Sequence, residues 1–82
     1  MKQIMNRPED LEHIADSYRL LKGNEVLFRF YNQGIHKEHH VPKELKDWRP
    51  EHNILYRCYW KHVVSGDPAD QGTNHLLYIE EF

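Results

Sequence analysis

From Asn53 to Val64 the chain alternates over twelve residues, and this pattern narrows its fold more than any other. Ile54, Tyr56, Cys58, Trp60 and Val64 fall on one side with His62; Leu55, Arg57, Tyr59, Lys61 and Val63 fall on the other. A period of two over that length marks a β-strand, whose successive side chains point to opposite faces. A strand so rich in apolar and aromatic groups needs neighbours on its edges and a layer over its apolar face.

The remaining elements follow from punctuation and period. Leu11, Ile14, Ala15, Tyr18 and Leu21 recur at helical spacing, which predicts an amphipathic helix from Pro8 to Lys22. Asn6 and Glu9 resemble a capping box, Pro8 suits a first turn, and Gly23 reads as the stop. Glu25 to Tyr31 reads as a strand with Val26, Phe28 and Phe30 on one face and Leu27, Arg29 and Tyr31 on the other. Asn32-Gln33-Gly34 is a tight turn, and Ile35 to Val41 a polar returning edge strand. Pro42 opens a helical turn from Lys43 to Trp48, closed by Arg49-Pro50. A loop from Ser65 to Asn74 then leads into a last strand, His75 to Phe82.

These elements predict a single α+β domain over residues 1–82: one N-terminal amphipathic helix packed on a four-stranded, mainly antiparallel sheet, in the order α-β-β-short helical turn-β-β. Leu, Ile, Val and Phe make up about a quarter of the chain and the net charge is only −2, so it collapses rather than staying disordered. At 82 residues the core is small, which favours a homodimer through an unpaired sheet edge. The lone Cys58 excludes an internal disulfide and a four-cysteine zinc site. No apolar h-region follows the first charges and no apolar run reaches the length of a bilayer span, so the expected setting is cytoplasmic, without a membrane.

Function is less legible. Under the strand phasing above, Arg29 and Tyr31 share the face opposite the core with Arg57, Tyr59 and Lys61. Tyr and Arg are the residues most enriched at protein interface hot spots, which points to a protein-binding module: an adaptor, inhibitor or regulator of the size common among phage and mobile-element accessory proteins. Aromatics interleaved with cations also suit single-stranded nucleic acid, the alternative reading, although the acidic balance opposes it. The same tyrosines and arginines also make an ordinary solvated sheet face. Asp67 and Asp70 make the 65–74 loop a further candidate contact, though its composition is that of a common turn.

A third reading is a histidine-based metal protein or small hydrolase. Seven histidines invite it, and His36 and His40 would share a strand face, but no established ligand spacing accompanies them. No nucleophile stands in a catalytic motif, and Cys58 occupies an inward strand position where a thiol is inert. The sequence therefore predicts no cofactor and favours a non-enzymatic role.

Overall fold

The structure, a computed structural model, describes residues 3–31, 41–69 and 71–82. Its sheet has three strands among those residues: β1 (Ser17–Lys22), β2 (Leu55–Val63) and β3 (Thr73–Glu81). They lie in the order β1-β2-β3 and both pairings are antiparallel, so the Asn53–Val64 alternation supplies the centre of the sheet. Two short helices accompany it, α1 (Leu11–Ile14) and α2 (Gly23–Val26). α2 continues as a π-helical turn, Leu27–Tyr31, and Lys43–Leu45 forms a 3-10 turn.

This arrangement corrects the expected four-stranded α-β-β-turn-β-β fold in two places. Residues 8–22 do not form one helix. Helical structure ends where Ala15 turns extended (φ −78°, ψ 138°), and Ser17–Lys22 becomes a strand. Asp16 sits at the changeover: its backbone N–H donates to the Trp60 carbonyl at 2.9 Å, and its carboxylate accepts from the His62 backbone N–H at 2.7 Å. An isolated four-residue helix is marginal, whereas pairing β1 along β2 satisfies a whole row of backbone groups, so tertiary pairing overrides the local period.

The second correction concerns Glu25–Tyr31, expected as a strand and found as helix. Val26 and Phe30 are both buried, and they stand four residues apart, on one helical face. The Lys22 backbone N–H donates to Glu25 Oε1 at 3.1 Å, which helps start α2. Gly23, read as a helix stop, instead opens α2 where the chain passes against residues 51–54. Its N–H donates to the Ile54 carbonyl at 2.9 Å, and any Cβ there would collide with the Glu51 carbonyl. The expected turn at 32–34 and most of the Ile35–Val41 strand lie outside the described residues.

One side of the sheet carries the core. Leu21, Tyr56, Cys58 and Ile79 are buried there, in a cluster with Val26 and Phe30 of the helical segment. Tyr31 belongs to it as well: its hydroxyl donates to the Leu45 carbonyl at 3.2 Å, its ring lies 6.2 Å from Trp48, and Arg49 stacks on it at 4.7 Å. Trp48 meets Tyr56 edge-on at 5.7 Å, tying the 3-10 segment to β2. A bulge interrupts β2–β3. Tyr59 pairs with Tyr78 but Trp60 with Leu76, so Leu77 has no counterpart and Leu76 and Asn74 share the faces of Trp60 and His62.

Candidate functional site

The opposite side of the sheet is the candidate site. Pairing places Tyr18 beside Tyr59, Leu20 beside Arg57, Tyr78 on the far side of Tyr59 and Glu80 on the far side of Arg57. Arg57 lies at the centre. Its guanidinium is 5.4 Å from the Tyr18 ring and 5.1 Å from the Phe82 ring, and one of its nitrogens reaches Glu80 Oε2 at 3.5 Å. Its Nε is buried with no acceptor among the described residues. Arg7, from the segment before α1, stacks over Tyr59 and Tyr78 at 5.2 and 5.5 Å and pairs with Glu12 at 2.6 Å. Burial under this layer, with Glu80 beside it, raises the Tyr78 hydroxyl above its ordinary pKa.

Near Arg57 on this face, three hydrophobic side chains are exposed: Tyr18 at 56 %, Leu20 at 41 % and Phe82 at 57 %. They surround Arg57, so the exposed apolar area is one patch with a cation at its middle. Lys61 extends the face toward Asp16, with the two charges 3.8 Å apart.

Comparison of the chain with protein-family models, with curated proteins and with solved structures finds no match. The reading of the site therefore rests on its chemistry.

Arg57, Tyr59 and Lys61 stand together on the open face. Arg29 and Tyr31 do not join them, because the segment that carries them is helical: Tyr31 is buried in the core, and Arg29 is exposed on the helix. Their places are taken by Tyr18, Leu20, Phe82 and Arg7. The signal for Tyr18 and Leu20 was present as a short alternation with Arg19 and Leu21, but the helical spacing of Leu11, Ile14 and Ala15 ran into it.

Asp67 occupies an exposed turn. Its Oδ1 accepts from the Ala69 N–H at 2.9 Å, and its own N–H donates to Ser65 Oγ at 3.2 Å, so the carboxylate shapes its loop. Asp70, His36 and His40 lie outside the described residues. Among the described residues, no group of three or more His, Cys, Asp and Glu side chains could hold a metal ion. Nor is any helix among them long and apolar enough to cross a membrane. Cys58 is wholly buried, and burial pushes its thiol up to about 12, which keeps it protonated and unreactive at neutral pH.

Proposed function

We propose that this chain is a small protein-binding module, an adaptor, inhibitor or regulator of the cytoplasm, that docks its partner on the open sheet face. The observation that carries this reading is the patch of Tyr18, Leu20 and Phe82 around Arg57. Exposed aromatic rings on a rigid sheet offer large contact area at low entropic cost, and Arg adds directional donors, the combination found at interface hot spots. Charge on the same face favours protein over nucleic acid. Arg7, Arg57 and Lys61 each stand within 4 Å of a carboxylate, of Glu12, Glu80 and Asp16 respectively, so phosphates would meet cations already neutralised. A second copy of the chain is one partner such a face would accept.

The test is a pull-down from nuclease-treated host lysate with the wild type and a Tyr18→Ala/Leu20→Ser/Phe82→Ala variant as baits. A discrete protein retained by the wild type and lost by the variant, with thermal melts within a few degrees of each other, supports the reading. Equal capture by both baits overturns it. Sedimentation of the wild type alone identifies the case in which the partner is a second copy.

A further inference from the structure

The other side of the molecule holds a groove that the open-face reading does not use. Its described lining comprises Arg19 and Leu21 of β1, Phe28, Arg29 and Phe30 of the helical segment, Trp60 of β2 and Asn74 of β3. It forms where the helical segment lies beside β1, and its volume is about 250 Å3.

Three properties characterise this groove. Arg19 comes from β1 and Arg29 from the helical segment, and neither makes an ion pair with a described residue; no carboxylate stands among the described lining. In a chain of net charge −2, two guanidinium groups left over one concave surface form a local positive site. Aromatic surface lies beside them: Phe28 is 75 % exposed and Trp60 is half-buried. Finally, the Asn74 side-chain amide lines the groove and is held by His62 Nδ1 at 2.8 Å, while His62 Nε2 faces the Gln71 carbonyl at 3.1 Å.

We propose that this groove binds a nucleotide unit, with the base against Trp60 and Phe28 and the phosphate between Arg19 and Arg29. Aromatic rings stack on any base, and guanidinium forks match phosphate oxygens two at a time. Drug-sized ligands occupy roughly 300–1,000 Å3, so a smaller groove takes one nucleotide rather than a longer segment. The Asn74 amide adds a polar group to the lining within reach of the base edge or sugar. A free mononucleotide and a single-stranded nucleic acid present the same chemistry, and the binding experiment separates them.

Trp60 provides the readout. The other tryptophan, Trp48, packs against Tyr31 and Tyr56, so a ligand in the groove quenches Trp60. Full-length protein is titrated at low salt with adenosine 5′-monophosphate, with a ten-nucleotide single-stranded DNA and with a phosphotyrosine peptide. Saturable quenching by the mononucleotide supports a free-nucleotide site. Quenching by the oligonucleotide alone, weakening steeply with salt, supports a strand site. In either case Arg19→Gln/Arg29→Gln weakens binding at least about tenfold, since two charge-assisted contacts are lost. Trp60→Phe removes the fluorescence signal while titration calorimetry still reports binding. The Tyr18→Ala/Leu20→Ser/Phe82→Ala variant binds nucleotide as the wild type does, so this site and the open face fail or stand separately. Absence of quenching by both nucleotide probes up to millimolar concentration, binding unchanged in the double-arginine variant, or binding of the phosphotyrosine peptide alone would each overturn the proposal. Both arginines are exposed, and a thermal melt confirms that their replacement leaves the fold intact.

Discussion

On the covered side of the sheet, Cys58 and Ile79 are removed from water entirely and Leu21 and Tyr56 almost so, whereas across the same strands Tyr18, Leu20 and Phe82 keep about half their surface. The two sides are built from neighbouring residues of the same chain. The covered side coheres by shape, through apolar groups pressed under the helical segment. The open side coheres through stacked arginines, with Arg57 between Tyr18 and Phe82 and Arg7 over Tyr59 and Tyr78. Stability should therefore concentrate on one side and recognition on the other. Flat cation–aromatic stacks remain accessible to a partner, while close packing does not.

Ile79→Ala strikes the covered side at its driest point and should cost about 3 kcal/mol, the transfer term plus the cavity left behind. Urea denaturation measures it; a loss below about 1 kcal/mol would mean that the helical segment does not seal this side.

Alkaline pH probes the same region through Cys58. The unfolded chain releases its thiol proton near pH 8.5, whereas the folded chain keeps it to about 12. Between these values the unfolded state binds fewer protons, so stability falls as pH rises, by up to about 1.4 kcal/mol per unit above pH 9. Tyr31, Tyr56 and Tyr78, all raised chiefly by burial, steepen the loss above about pH 10. Urea midpoints at pH 8, 9 and 10 should decline in that order, and a flat series would place the thiol within reach of water.

Arg57→Met breaks the comparison from the open side. The Arg57–Glu80 pair is long at 3.5 Å and only partly buried, and removing a buried Nε without an acceptor offsets part of what is lost, so the cost should stay below about 1 kcal/mol. The same variant should lose partner capture. A destabilisation as large as that of Ile79→Ala would make Arg57 a structural residue rather than a recognition residue.

β2 was legible in the sequence because nothing competes with its alternation over twelve residues. The shared sheet face of Arg57, Tyr59 and Lys61 was legible for the same reason. Leu11–Ile14 is helical as expected, but residues 15–31 depart from the expectation because a spacing of four satisfies both periods: it is two pleats of a strand and close to one turn of a helix. Val26 and Phe30 fit either structure, and only the sheet opposite selects the helix. Leu11, Ile14 and Ala15 likewise begin a helical period that Tyr18 and Leu21 continue by coincidence. Gly23 carried a true signal with the wrong cause, since the position needs a missing Cβ for the passage past Glu51 and not a left-handed stop. The groove was invisible because Arg19 and Arg29 were placed on a helix and a strand that do not form.

Among the described residues β1 pairs only with β2, and Ser17 meets Trp60 across about half the length of the chain, while β2 reaches β3 through a short connection. Closing the long β1–β2 connection costs more entropy than closing β2–β3, so the hairpin should form first. Val26 and Phe30 should stay uncovered until that hairpin presents its face, and the domain should then close in one late step.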